Sequence, residues 1–315
     1  MQFRTQIPIS KSNYPIDYNS RIISLGSCFA ENITDKLNYF KFQNDANPFG
    51  IIFNSASLEK IITRIVQKDI FTEKDIFFHN ERWNCYEVHS DLSNSNKIEF
   101  LQNLNTVLKR TNQQITQSTH IIITLGTAWV YKNIENEQIV ANCYKVSQKQ
   151  FIKELLSIKA IQENLESIIS LISSINKATK FIFTISPVRH IKDGFVENTL
   201  SKAHLINALH SFIRNNPTTS YFPSYEILMD ELRDYRFYNP DMLHPNQTAI
   251  DYIWEHFLES YMDREEFPVM QQVSEIQKAL NHKPFNIESQ NHQQFLSKLQ
   301  DKIMILEQRF PQIKF

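Results

Sequence analysis

Three short apolar runs constrain this chain more than any other feature, and each closes on a pair of small or turn-forming residues. RIISL at 21–25 runs into Gly26-Ser27, HIIITL at 120–125 into Gly126-Thr127, and KFIFTI at 180–185 into Ser186-Pro187. Runs of five or six residues without polar alternation suit strands covered on both faces. A fourth run, SYFPSYEIL at 220–228, is strand-like, with Pro223 restricting it to an edge or a bulge. Helical periods separate the runs. Phe29, Ile33, Leu37 and Phe40 share one face after the first. A second period spans roughly 148–177 through Phe151, Leu155, Ile158, Ile168 and Ile172, and a third spans 197–214 through Leu205, Leu209 and Phe212. A fourth begins near Pro245, with Ile250, Ile253, Trp254, Phe257 and Tyr261 inward. Apolar strands alternating with helices require crossover connections, a parallel sheet and helices on both faces. In such sheets function gathers at the carboxyl ends of the strands, which is where Ser27, Gly126 and Ser186 fall.

Between the first two runs lies an insertion, about 51–118, with a helical period near 55–68 and a hairpin pattern around 76–90. Beyond Pro268 two helices follow, the last carrying Phe295, Leu299, Ile303, Leu306 and Phe310 as one stripe. The plan is a sheet domain over 1–262 and a helical appendage over 263–315. The stripe suits packing on the sheet domain or on a partner, a second copy of the chain included; periodicity does not separate the two.

Composition narrows the function classes. A chain of 315 residues that is 42% hydrophobic can bury a sizeable core. With 33 basic and 34 acidic residues it has no broad positive field for nucleic acid or an anionic membrane. Three cysteines (Cys28, Cys85, Cys143) argue against a disulfide scaffold. No secretory pattern opens the sequence, and no run approaches the roughly 18 apolar residues of a membrane span. A soluble, cytoplasmic protein is expected. Glycine is scarce: average usage of ~7% would place about 22 in this length, whereas there are four, Gly26, Gly50, Gly126 and Gly194. Such a chain keeps glycine where φ must be positive or where backbone must approach another group.

Two motifs carry chemistry. In SLGSCFAEN, Ser27 sits between a strand and a helix, where free N–H groups and the helix dipole favour a developing oxyanion. An ordinary N-cap is the plainer reading of the same residue. Cys28, directly after it, is a second candidate nucleophile, read here as facing inward on the first helical turn. In DMLHPNQTA, Asp241 and His244 are three residues apart, a spacing that lets the carboxylate fix the imidazole tautomer. The two motifs are the halves of a Ser-His-Asp site. A GxSxG elbow is absent, which disfavours an α/β-hydrolase.

These motifs have company. With GSCFA at 26–30, NPFG at 47–50, TLGTAW at 124–129, NCYK at 142–145, SPVRHIKDG at 186–194, YFPSYEI at 221–227, DELRDYRFY at 230–238 and DMLHP at 241–245, the chain resembles the GSCFA-domain family over about residues 20–260. That family is similar to the SGNH, or GDSL-like, hydrolases. The resemblance implies an α/β fold: a three-layer α/β/α sandwich with a mostly parallel, flavodoxin-like sheet of about five strands. It implies Ser27 as nucleophile, with Asp241 and His244 completing the triad. It also implies an oxyanion hole built from the Ser27 N–H, a glycine N–H best matched by Gly50, and an asparagine side chain. Here Ala128 stands where that asparagine is expected, followed by Trp129. The substitute donors are the Gly126 or Thr127 N–H, or the side chain of Asn47 or Asn142. Tyr144 likewise replaces an expected histidine. Asn47, Trp129, Asn142, Arg189 and His190 are the expected substrate contacts, with pairing of Arg189 and His190 to Asp193 or Glu197 as the structural alternative. Arg233 and Arg236, set among acids, read as an ion-pair network. The histidines lack the paired spacing of a zinc site, Cys85 and His89 alone being weak, and no glycine-rich phosphate loop is present. No metal and no cofactor are expected.

The expected function is a serine hydrolase that removes a short acyl group, such as acetyl, from a saccharide or similar small ester. The same triad would serve an O-acyltransferase with a sugar hydroxyl as acceptor. Loss of the asparagine donor leaves a third reading, a binding or scaffold protein that keeps the fold without catalysis.

Overall fold

A computed structural model describes residues 5–315. The apolar runs form the central strands. In chain order the regular elements are β1 (Arg21–Gly26), α1 (Cys28–Tyr39), β2 (Gln43–Ala46), α2 (Ser55–Gln67), β3 (Phe77–His79), β4 (Arg82–Asn84), α3 (Lys97–Gln117) and β5 (His120–Leu125). Then come β6 (Trp129–Asn133), β7 (Ile139–Val140), β8 (Phe151–Leu155), α4 (Ile158–Ile175), β9 (Lys180–Ile185), α5 (Phe195–Ile213) and β10 (Thr219–Phe222). The chain closes with α6 (Ser224–Glu226), continued by a π-turn through Leu232, then α7 (Gln247–Tyr261), α8 (Phe267–Leu280) and α9 (Gln290–Arg309).

Five strands pair in the order β10-β9-β5-β1-β2, all parallel. Numbered along the sheet alone, this is the 2-1-3-4-5 order of flavodoxin-like folds, whose ligand crevice opens where the order reverses. Here the reversal lies between β1 and β5, at the carboxyl ends that carry Gly26-Ser27 and Gly126-Thr127.

Strand alternation separates the two helical layers. Ile23, Leu25, Ile121, Ile123, Phe181 and Phe183 face α2, α3, α4 and α5. Ile22, Ile122, Ile182 and Phe222 face α1, α7, α8 and α9. Both layers are fully covered, so the β5 and β9 runs read as apolar without alternation. Each such side chain contributes about 1.5–3 kcal/mol by leaving water. The C-terminal helices share the second core: Val273, Ile276, Leu299 and Leu306 join the same cluster as Phe29, Trp254 and Phe257. Phe295, at the outer end of the α9 stripe, stays partly exposed. Among the described residues no helix is long and apolar enough to cross a membrane.

Three elements differ from the sequence reading. The helical period expected over 148–177 begins at Ile158; Phe151–Leu155 is β8, paired antiparallel with β6 in a small second sheet, β7-β6-β8. The i, i+4 spacing of Phe151 and Leu155 fits a strand whose ends turn to the same side. The strand expected over 220–228 ends at Phe222, because Pro223 has no N–H for the ladder and instead starts the helical turn of α6. β2, QNDA, has no apolar residue larger than Ala46 and was not expected; as an edge strand it needs none.

Candidate active site

Gly26 sets the geometry of the β1–α1 turn. Its φ is +126°, and a Cβ there would lie 2.1 Å from the Thr124 carbonyl oxygen. Only glycine lets β1 close on β5 at this level. The Gly26 N–H donates to Asn47 Oδ1 at 2.8 Å, and the Ser27 N–H donates to Thr124 O at 3.0 Å. Ser27 is extended (φ −74°, ψ 169°), and its Oγ caps α1 by accepting the Phe29 N–H at 3.3 Å. The residue is 2% exposed. Cys28, the first residue of α1, is partly exposed, and its N–H faces its own sulfur. Burial pushes the Cys28 thiol up and Glu31 adds to the rise; the Cys28 and Phe29 amides and the Lys202 ammonium offset only part of it.

The histidine stands on the loop before α7. Asp241 Oδ1 accepts the N–H groups of Leu243 (2.9 Å) and His244 (3.0 Å), so the turn holds the carboxylate still. Asp241 Oδ2 then lies 2.6 Å from His244 Nδ1. The backbone N–H of His244, that of Leu243 and the imidazole hold the Asp241 carboxyl down to about 2. Fixing Nδ1–H in this way leaves Nε2 as the proton acceptor; among the described residues Nε2 has no partner. Arg189 secures the loop: its Nη2 donates to Met242 O at 2.5 Å, and its guanidinium stacks on Tyr238 and Tyr235. Arg189 therefore positions the histidine loop and does not pair with Asp193 or Glu197. Asp193 pairs with Lys153, which lies over the Trp129 ring. Arg233 and Arg236 make no ion pair among the described residues; Arg236 lies over Phe237, so the expected network is absent there.

The first turns of α5 hold the third side. Lys202 is 1% exposed, and its Nζ donates to Gly126 O and Ser186 O, each at 2.7 Å, tying the ends of β5 and β9 together. Burial pushes its ammonium down to about 7. Ser201 Oγ accepts the Ala128 N–H at 2.7 Å and meets Thr127 Oγ1 at 2.8 Å. Asn198 Oδ1 accepts the His190 N–H at 2.9 Å. His190 is mostly buried with Nε2 unpartnered, and burial, Lys202 and His244 push it down to about 3, so its ring is neutral. Lys202 was missed by the sequence reading, although a lysine in register with Leu205 and Leu209 on a buried stripe was the available signal.

These three sides enclose one cavity of about 560 Å³, lined by Ser27, Cys28, Asn54, Thr127, Trp129, Asn142, His190 and His244, among others. The structure thus brings both expected motifs to one space, with Trp129, Asn142 and His190 beside them. It removes several expected oxyanion donors. The Ser27 N–H is held by the sheet. The Gly50 N–H donates to Asn47 O at 2.6 Å, and that glycine serves a positive φ against His89. The Gly126 N–H donates to Phe53 O at 2.7 Å; a Cβ there would lie 2.8 Å from Phe53 Cβ, so packing against Phe53, not approach to substrate, requires the glycine. Asn47 is engaged with Gly26 and Glu31. The Thr127 N–H remains without an acceptor among the described residues. Asn54, which the sequence reading passed over, adds a donor. Its Oδ1 caps α2 through the Ser57 N–H at 2.8 Å, which fixes the amide, and among the described residues its Nδ2 donates to nothing. Tyr144 spends its hydroxyl on the Cys85 and Val88 carbonyls, outside this cavity. Cys85 and His89 gain no third ligand: among the described residues no three His, Cys, Asp or Glu side chains cluster as a metal site.

No curated protein sequence matches the chain significantly. Two family models do: one described as the GSCFA family, over residues 21–257, and one described as the GSCFA domain protein C-terminal domain, over residues 273–315. The first spans every strand of the central sheet and the whole cavity, the second most of α8 and all of α9, and by these matches the chain belongs to the GSCFA family.

Proposed function

We propose that the cavity hydrolyses a small ester by acyl transfer to a nucleophile at the β1–α1 junction, with His244 as general base and acid and Asp241 as its orienting partner. In this reading the protein is similar in mechanism, as well as in layer architecture, to the SGNH hydrolases. The observation that carries it is the Asp241–His244 pair: a 2.6 Å contact to Nδ1, an aspartate pinned by two amides, and a free Nε2 on the cavity that also holds Ser27 and Cys28. The Thr127 N–H and Asn54 Nδ2 are donors in the same space for the developing oxyanion, in place of the asparagine that Ala128 lacks. Trp129 and Asn142 on the wall suit a sugar face and its hydroxyls. The His244 side chain is 46% exposed, so water reaches the base, which favours hydrolysis over transfer to a second alcohol.

Turnover of 4-nitrophenyl acetate tests the reading. The protein should cleave it above the buffer rate. His244→Ala and Asp241→Asn should each lower kcat/KM by about 10²–10⁴-fold with the fold intact by circular dichroism. A wild-type rate equal to buffer, together with no turnover of acetylated sugars, would leave the scaffold reading standing.

A further inference from the structure

We infer that Lys202 is a positioning residue for the oxyanion: its ammonium, bonded to the carbonyl of the Gly126–Thr127 peptide, aims and polarises the N–H at the other end of that peptide. The inference rests on the acyl-transfer reading above and deepens it, because it says how the site offsets the asparagine that Ala128 lacks. Four consecutive N–H groups follow β5. The Gly126 N–H donates to Phe53 O at 2.7 Å, the Ala128 N–H to Ser201 Oγ at 2.7 Å and the Trp129 N–H to Thr127 Oγ1 at 3.1 Å. The fourth, that of Thr127, has no acceptor among the described residues, and Thr127 lines the cavity. In a trans peptide the carbonyl and the N–H point in opposite directions, and no described peptide is cis. Gly126 O accepts from Lys202 Nζ at 2.7 Å, so the Thr127 N–H points away from the ammonium.

Lys202 also donates to Ser186 O, but the next residue is Pro187, which has no N–H to offer. Of the two peptides it holds, only Gly126–Thr127 therefore carries a donor at its far end. A tie between two carbonyls needs no charge. The charge changes what that far end offers: charge-assisted bonds are roughly twice as strong as neutral ones, and bonds in a chain polarise one another by roughly 10–30% each. Lys202 is 1% exposed, so water does little to screen it. Its field already reaches the cavity wall, where it helps keep the His190 ring neutral and offsets part of the rise at Cys28. A negative oxygen forming in this space meets a fixed donor with a fixed positive charge behind it, and neither has to reorganise.

The scarcity of glycine supplies the test. Of the four glycines, only Gly126 precedes a threonine. Protein made with carbonyl-¹³C glycine and ¹⁵N threonine therefore gives a single carbonyl-to-nitrogen NMR correlation, that of the 126–127 peptide. The probe is diethyl 4-nitrophenyl phosphate. The nucleophile gives its proton to His244 and bonds to phosphorus, 4-nitrophenolate leaves, and the phosphoryl oxygen takes the place of the oxyanion. In the wild type the adduct should move the Thr127 amide proton downfield. Lys202→Met and Lys202→Gln should form the adduct with a smaller shift. Turnover of 4-nitrophenyl acetate is read below the value of about 7 at which this ammonium loses its proton. Both variants should lose about tenfold or more in kcat with KM little changed, short of the ~10²–10³-fold loss of a whole donor. Lys202→Gln keeps a neutral donor, so it separates charge from attachment and carries the comparison if Lys202→Met does not fold. A wild-type adduct that leaves the Thr127 amide unmoved, or wild-type kcat in Lys202→Gln, overturns the inference and leaves the hydrolase reading intact. Turnover and adduct both absent from the wild type overturn the two readings together.

Discussion

At the scale of single residues, the four glycines show how far a sequence signal reaches. Their scarcity marked them as places of close approach, and at Gly26 and Gly126 that is what they are. The partner was not legible, because a missing side chain does not say what fills its place. Gly26→Ala puts a methyl group 2.1 Å from a backbone oxygen, where no rotamer relieves it. It should cost on the order of 4 kcal/mol or more, read as a lost or strongly lowered urea midpoint. Gly126→Ala meets the Phe53 side chain at 2.8 Å, which can shift; about 1–3 kcal/mol is expected, by the same measurement. Because Phe53 precedes Asn54, the second change should also lower turnover more than stability predicts. The Asp241–His244 pair was legible because one turn closes it. Asn54 and Lys202 were not, because each reaches the site only through tertiary contacts.

At the scale of elements, α5 is the scaffold of the site. Asn198, Ser201 and Lys202, on its inner face, hold the loops after β9 and β5. A buried ammonium at this junction makes stability depend on pH. Its folded value falls to about 7 from an ordinary 10.5. Between those values the unfolded chain binds a proton that the folded chain does not, so stability rises with pH. Below about 7 both states hold the proton and the cost of burying the charge is present in full. Lys202→Met lacks this titration. The wild type should therefore gain stability relative to Lys202→Met as pH is raised from 7 towards 10, measured by urea unfolding at each pH. A flat difference would show that the two carbonyls keep the ammonium charged throughout. Among the elements, the buried central strands were legible because nothing in them is polar enough to face water. β2 and β8 escaped notice because edge and hairpin strands take their stability from pairing more than from apolar pattern.

At the scale of the whole molecule, α8 and α9 share one core with α1, α7 and the sheet. Leu306 is 2% exposed at the centre of that contact. Leu306→Ala should cost about 2–5 kcal/mol, and calorimetry should show one transition moved down as a whole. Two separated transitions would mean that the terminal helices unfold by themselves. The same packing joins distant parts of the chain. Tyr18 stacks on Phe42, its ring centroid 4.3 Å away, and tilts against Phe310, while its carbonyl accepts the Gln312 side chain at 3.0 Å. During synthesis, at roughly 5–20 residues per second, Tyr18 therefore waits some tens of seconds for the partners that cover it. Until then an apolar patch beside the first strand stays open, and the late arrival of Phe310 and Gln312 completes its cover.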